Sequence, residues 1–311
     1  MKKNLTFLVL AAIGLASCNN EYKKDKTGLL YKIYTDKAGP RINEGDFVSA
    51  GVVIKNDADS VQFSTYGSGF PQQFQVSKSK YKGDIFAGMK LLTEGDSASF
   101  KLPADSIFKN TTRAALFKNK FVTYDIKIEK VIPRGNMTAQ EFQAAINKYI
   151  MTLALAVKNA EAGKIQKYIT DKKLNVTQTD SGLYYAITIK GKGPLARPGD
   201  TVVVDYTGYL LNGKIFDTSI YPDAVKGKIV NPKREYAPIG IPLGEKKVIA
   251  GWEQGLMLLP KATKATFIIP SKLAYGAQGY GGIAPYTPLV YDIWVANIIH
   301  PTPGTHTPAK K

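Results

Sequence analysis

Residues 202–219 read Val202-Val203-Val204-Asp205-Tyr206-Thr207-Gly208-Tyr209-Leu210-Leu211-Asn212-Gly213-Lys214-Ile215-Phe216-Asp217-Thr218-Ser219. A β-branched run, an Asn-Gly pair and a second apolar run predict a hairpin, because Asn and Gly tolerate the positive φ angles that a tight turn needs. Thr266-Phe267-Ile268-Ile269 and Leu289-Val290-Tyr291-Asp292-Ile293-Trp294-Val295 predict further strands. One short helix is expected over Gly251-Trp252-Glu253-Gln254-Gly255-Leu256-Met257-Leu258-Leu259, stopped by Pro260, which cannot continue the hydrogen-bond ladder. An antiparallel sheet with little helix is an α+β architecture.

The same pattern occurs earlier in the chain. Thr27-Gly28-Leu29-Leu30-Tyr31-Lys32-Ile33 matches Ser181-Gly182-Leu183-Tyr184-Tyr185-Ala186-Ile187 at an offset of 154. Gly39-Pro40 and Gly45-Asp46 match Gly193-Pro194 and Gly199-Asp200 at that same offset. Further on the offset is 167, pairing Gly88 with Gly255, Leu92 with Leu259, Pro103 with Pro270, and Tyr124-Asp125-Ile126 with Tyr291-Asp292-Ile293. The change from 154 to 167 places a 13-residue insertion in the second copy, near Tyr221–Ala237, where Pro, Gly and Lys predict a surface loop. Two copies are too few for a solenoid, so the chain reads as a duplicated globular domain, over 27–134 and 175–300.

Residues 135–174 join the copies and have a different character. Thr138-Ala139-Gln140-Glu141 has capping-box spacing, and Phe142, Ile146, Tyr149, Ile150, Leu153 and Val157 form a helical stripe. Gly163 is expected to break this helix, with a second short helix over Ile165 to Leu174. The stripe is expected to pack on the protein's own domains, with a dimer through this linker as the alternative.

The N-terminus reads Met-Lys-Lys, then an apolar stretch from Leu5 to Ala16, then Ser17-Cys18. A basic start with a short apolar core predicts a secretory signal over 1–17. About a dozen apolar residues are too few to span a bilayer, which needs about 20. Small residues before Cys18, the single cysteine of the chain, resemble a bacterial lipobox, which implies lipidation at Cys18 and a tether over 18–26. The expected location is the cell envelope, lipid-anchored at the outer membrane on its periplasmic or surface face. Residues 301–311, rich in Pro and Thr, read as a disordered tail.

Composition removes several function classes. One cysteine allows no intrachain disulfide or thiolate cluster, and both histidines, His300 and His306, lie near the C-terminus. Ser-His-Asp, Cys-His and His-zinc chemistry are therefore not expected in the folded body, and no metal or cofactor is predicted. The chain carries 42 basic and 25 acidic residues; without Lys2 and Lys3 it stays near +15. No arginine stripe with interleaved aromatics accompanies that charge, so nucleic acid is not an expected partner, and a lysine-rich surface near an anionic membrane is.

Taken singly, Tyr206, Phe216, Asp217, Trp252 and Tyr275 read as core, turn or loop residues. Their order changes the reading. Val204-Asp205-Tyr206-Thr207-Gly208, Gly213-Lys214-Ile215-Phe216-Asp217-Thr218-Ser219, Val248-Ile249-Ala250-Gly251-Trp252-Glu253-Gln254-Gly255, Ala274-Tyr275-Gly276-Ala277 and Leu289-Val290-Tyr291-Asp292 closely resemble the FKBP family of peptidyl-prolyl cis-trans isomerases, over about 181–299. The resemblance implies a curved antiparallel sheet around a short helix, with a proline pocket lined by Tyr206, Phe216, Asp217, Val248, Ile249, Trp252, Tyr275 and Tyr291. Ile239 and Ile283 are looser members. It assigns Trp252 as floor and Tyr206, Phe216 and Tyr291 as walls. The Ile249 N–H and the Tyr275 hydroxyl would hold substrate carbonyls, and Asp217 would orient the pocket and favour the twisted amide. Ile239 stands where the family often has an aromatic, and the loop 279–285 is one residue shorter than usual.

Such chemistry suits a chain without usable histidine. Twisting an X-Pro bond sacrifices amide resonance, a barrier of about 18–20 kcal/mol. The twisted amide is less charge-separated, so an apolar, water-poor pocket favours it over the planar form. A 10⁴-fold acceleration needs only about 5–6 kcal/mol. The implied substrates are proline-containing polypeptides, among them unfolded or partly folded exported proteins. A chaperone or partner-binding lipoprotein with little turnover is the competing reading. In the first copy Val52 replaces Tyr206, Ile85 replaces Trp252 and Phe108 replaces Tyr275. The Phe-Asp pair falls on Gln62-Phe63 or, with one gap, on Phe63-Ser64, so this copy is expected to fold alike without the pocket chemistry.

Overall fold

The computed structural model describes residues 21–66, 70–109, 117 and 120–301, so the Cys18 assignment and most of the C-terminal tail lie outside the described residues. The architecture is α+β: two antiparallel seven-stranded sheets with a long helix between them in the chain. The first sheet comprises β1 (Lys23–Lys24), β2 (Leu30–Thr35), β3 (Phe47–Asn56), β4 (Val61–Ser64), β5 (Gln72–Gln75), β6 (Ser97–Pro103) and β7 (Phe121–Ile132). The second comprises β8 (Thr177–Gln178), β9 (Tyr184–Ile189), β10 (Thr201–Leu210), β11 (Ile215–Thr218), β12 (Ile239–Pro242), β13 (Lys264–Ile269) and β14 (Leu289–Ile299). The strand orders are β1-β2-β6-β7-β3-β4 and β8-β9-β13-β14-β10-β11, with β5 on β3 and β12 on β10. The two sheets therefore have one topology, strand for strand. Lys23 and Lys24, expected within the tether, instead form β1, because Asp25 turns the chain back by accepting the Thr27 and Leu29 N–H groups at 2.8 Å each.

Each sheet wraps a short helix: α1 (Ile85–Met89) in the first and, after three further helices, α5 (Ala250–Leu256) in the second. Glycine permits the close approach. A Cβ on Gly255 would lie 2.4 Å from Phe267, and one on Gly251 2.4 Å from Ile269. In the first sheet a Cβ on Gly88 would lie 2.5 Å from Phe100, the same contact at the same offset of 167. Adding a methyl at such a site overpacks the core, at about 1–3 kcal/mol. The Asn-Gly hairpin forms as expected. Gly213 has φ +84, and Lys214 N donates to Asn212 Oδ1 at 3.1 Å.

A short α2 (Ala104–Ile107) follows β6, and α3 (Ala139–Asp171) then runs unbroken for 33 residues from the expected capping box. The break foreseen at Gly163 is absent. Glycine in a helix costs only about 1 kcal/mol relative to alanine, and both ends of α3 are held by packing. Phe142 and Ile146 are buried with Phe47 and Ile132 of the first sheet, where Tyr149 Oη also donates to Ser49 Oγ at 2.9 Å. Ile165, Tyr168 and Ile169 are buried with Ile268 and Val290 of the second. Strand periodicity puts Ile268 and Val290 on the face opposite Phe267 and Tyr291. The second sheet thus carries α3 on one face and α5 on the other. Among the described residues no helix is long and apolar enough to cross a membrane.

The insertion is not wholly loop. Its start forms α4 (Tyr221–Gly227), with Pro222 in the first turn, where a missing N–H does no harm, and Lys228 in the left-handed conformation at its end.

Candidate functional site

Tyr206 comes from β10, Asp217 from β11, Trp252 from the first turn of α5 and Tyr291 from β14. β10 pairs with both β11 and β14, which brings these side chains together on the face of the sheet that packs on α5. Trp252, 4% exposed, meets Tyr206 and Tyr291 edge-on, with ring centroids 5.0 Å apart in both cases. Such edge-to-face pairs fix the indole between two rings rather than leaving it to rotate. Among the described residues its buried Nε1 has no hydrogen-bond partner.

Around that floor lies a cavity of about 390 Å³ lined by Tyr206, Asp217, Ile239, Lys247, Val248, Ile249, Trp252, Tyr275, Tyr280 and Tyr291. Phe216 and Ile283, expected as lining residues, stand beside it. Phe216 meets Tyr291 edge-on at 5.7 Å, and Ile283 packs on the core while bridging Tyr280 through the backbone. That bridge closes the short glycine loop and sets Tyr280 in a stack on Tyr275, 5.1 Å between centroids. Ile249 caps α5 in extended conformation, its carbonyl accepting Trp252 N at 2.9 Å. Lys247 and Tyr280 were not among the residues expected from sequence.

Nor was Arg234, which the insertion delivers to the pocket rim. Its guanidinium pairs with Asp217 Oδ1 and donates to Tyr206 Oη at 2.9 Å, while Tyr206 donates to Asp217 Oδ2 at 2.7 Å. The three groups close a ring of hydrogen bonds. Burial, reinforced by the Asp217 carboxylate, pushes the Tyr206 hydroxyl up to about 12 against the pull of Arg234. Burial first, and then Tyr275 and Asp217, raises Tyr291 as well; Tyr275 is raised by burial and by Tyr280 and Asp217. All three hydroxyls stay protonated donors at neutral pH.

A larger groove, about 720 Å³, lies on the other face of this sheet and contains Asp205, Thr207, Tyr209, Asp292 and Trp294. Several of its polar groups pair with one another: Thr207 donates to Asp223 at 2.5 Å, and Tyr209 and Thr266 donate to Asp292 at 2.8 and 2.6 Å. The smaller cavity combines an aromatic floor with hydroxyl groups converging at its rim.

The FKBP-type peptidyl-prolyl cis-trans isomerase pattern matches residues 193–296. The chain is 35% identical over 179 residues to an FKBP-type peptidyl-prolyl cis-trans isomerase, FkpA, of Aeromonas hydrophila, covering 57% of this chain and 59% of that one. It is 30% identical over 209 residues to FkpA of Escherichia coli K12, covering 67% of this chain and 68% of the relative. The chain belongs to the FKBP-type peptidyl-prolyl cis-trans isomerase family. The crystal structure of E. coli FkpA matches over 53% of this chain and 75% of its own, at 28% identity and a TM-score of 0.39.

The pocket side chains have few counterparts in the first sheet. Ser219 and Thr65 make equivalent bonds, each hydroxyl accepting a β-strand N–H at 2.9 Å, from Tyr206 and from Val52. The strand registers agree, with Gly208 opposite Asp217 and Ile54 opposite Phe63. Phe63 therefore occupies the Asp217 position, and the ungapped alignment holds. Of the pocket aromatics only Tyr291 keeps its identity, as Tyr124. Phe108 keeps a ring at the Tyr275 position but not its hydroxyl.

Proposed function

We propose that the second half of this chain catalyses cis-trans isomerisation of X-Pro bonds in polypeptides, without covalent, metal or cofactor chemistry. The observation that carries the reading is Trp252, held edge-on between Tyr206 and Tyr291 at the bottom of an apolar cavity ringed by protonated hydroxyls. The proline ring rests on the indole, excluding water from the prolyl amide. A Tyr275 hydroxyl and the Ile249 N–H hold the flanking carbonyls, and Asp217, fixed by Tyr206 and Arg234, places its carboxylate beside the rotating bond. Loss of resonance in the twisted amide lowers its need for solvation, so the dry pocket stabilises it relative to the planar forms. The chain spans about 59% of the length of the Aeromonas relative, and the substrates of the whole protein are part of the proposal. The test is turnover of X-Pro peptides by the full chain beside residues 19–134 alone. The full chain is expected to accelerate exchange and the first half to leave it at the uncatalysed rate. Turnover by the first half would show that the pocket is not required.

The lipobox-like start motivates a second element, an envelope lipoprotein acting on unfolded or partly folded exported polypeptides. Cys18→Ser is expected to move the chain from the membrane fraction to the soluble fraction in its bacterial host. An unchanged membrane fraction would remove the anchor from the account.

A further inference from the structure

Glu161 lies on α3, outside every pocket residue named above, yet its carboxylate reaches the segment that carries Tyr275. Glu161 Oε1 accepts the Ser271 backbone N–H at 2.5 Å and Oε2 accepts the Ser271 hydroxyl at 2.7 Å. Ser271 is 2% exposed and opens a short 3₁₀ turn, Ser271–Leu273, that precedes Ala274-Tyr275-Gly276. Its carbonyl accepts the N–H groups of both Ala274 and Gly276, at 2.9 Å each, the two residues flanking Tyr275. One side of Ser271 is thus held by the linker helix while its other side holds the backbone on both sides of the tyrosine. Glu161 itself cannot drift, because it stands one turn before buried Ile165 on the same helix face. In the first half the residue at the Ser271 position is Ala104, the first residue of α2, which has no hydroxyl to donate to such a carboxylate.

Resting on the isomerase reading, we infer that Glu161 is a positioning residue of the second-half pocket: through Ser271 it sets the height of the Tyr275 hydroxyl over the Trp252 floor, tying substrate affinity to the seating of the linker helix. An interaction made equally in the ground state and the transition state shows in KM rather than kcat. A carbonyl held by Tyr275 throughout the reaction is of that kind.

The experiment uses the full chain with Glu161→Ala, Glu161→Gln, Ser271→Ala, Tyr275→Phe and the Glu161→Ala/Tyr275→Phe pair, followed by X-Pro peptide kinetics and by calorimetric titration of the same peptide. Glu161→Ala is expected to raise KM and Kd about fivefold while kcat stays within about twofold. Glu161→Gln, which can still satisfy both Ser271 groups, is expected to behave as the parent. Ser271→Ala, lacking only the hydroxyl bond, is expected to shift KM in the same direction by less, which keeps the test open if Glu161→Ala fails to fold. In the Tyr275→Phe background the Glu161→Ala effect is expected to shrink below about twofold, since coupled residues are non-additive. An unchanged KM in Glu161→Ala, or an equal loss in both backgrounds, overturns the inference. A folded parent without turnover defeats the isomerase reading instead, and the titration arm still decides whether Glu161 governs peptide affinity.

Discussion

Trp252→Leu lowers kcat/KM for X-Pro peptides by about 10²-fold while leaving the chain folded. The size follows from what the indole does. A 10⁴-fold catalyst supplies about 5–6 kcal/mol of selective stabilisation, and the floor is the largest apolar surface offered to the proline ring. Leucine retains part of the volume but neither the flat face nor the two edge contacts at 5.0 Å that hold Tyr206 and Tyr291 apart. Alanine would be a poorer probe, since truncating a buried aromatic costs about 3–5 kcal/mol of stability. Circular dichroism and thermal unfolding of Trp252→Leu beside peptide kinetics separate lost catalysis from lost fold. Parent-like kinetics in the folded variant would take the indole out of the mechanism.

Asp217→Ala is expected to lower kcat by about tenfold or more, with a change in global stability below about 1 kcal/mol. The Asp217–Arg234 pair is about one-third exposed on each side, 39% and 33%, so the ion pair contributes little to folding. Its contribution is local. Asp217 accepts from Tyr206 and from Arg234, and without it a guanidinium stands without a counter-charge at the mouth of the cavity. That cation opposes entry of the proline ring, so KM should rise as kcat falls. Removing the cation as well, in Asp217→Ala/Arg234→Met, is expected to restore KM but not kcat. Asp217→Asn keeps the shape and loses the charge; a kcat near that of Asp217→Ala assigns the effect to the carboxylate charge. Full kcat in Asp217→Ala would show that the carboxylate has no part in the turnover step.

The sheet, the duplication and the position of the pocket were legible because they rest on short-range rules. Alternation and the Asn-Gly pair marked the hairpin, and glycines at matching offsets marked both helices that lie against a phenylalanine. The single α3 was misread because Gly163 is a weak breaker set against two strong anchors, Phe142–Ile146 and Ile165–Ile169, whose burial depends on sheets distant in sequence. Arg234 was illegible for a different reason. It lies in an insertion, 17 residues from Asp217, and no local pattern sets its direction; it reaches the pocket only once α4 has turned the chain. The choice between Phe63 and Ser64 as the Asp217 counterpart could not be made from one-dimensional alignment. A backbone bond to Thr65 settles it, because hydrogen-bond register counts residues without ambiguity. Phe216, within the motif, and Ile283, a looser member, support the wall from beside it, a distinction that needs side-chain direction.

The most direct test of the central claim is the cis-trans exchange rate of an X-Pro peptide, measured by NMR with substoichiometric full chain. The account predicts acceleration proportional to the concentration of the parent, with almost none from an equal amount of folded Trp252→Leu. A folded parent that binds the peptide yet leaves exchange at its uncatalysed rate would contradict it, and would leave the second half as a proline-binding domain.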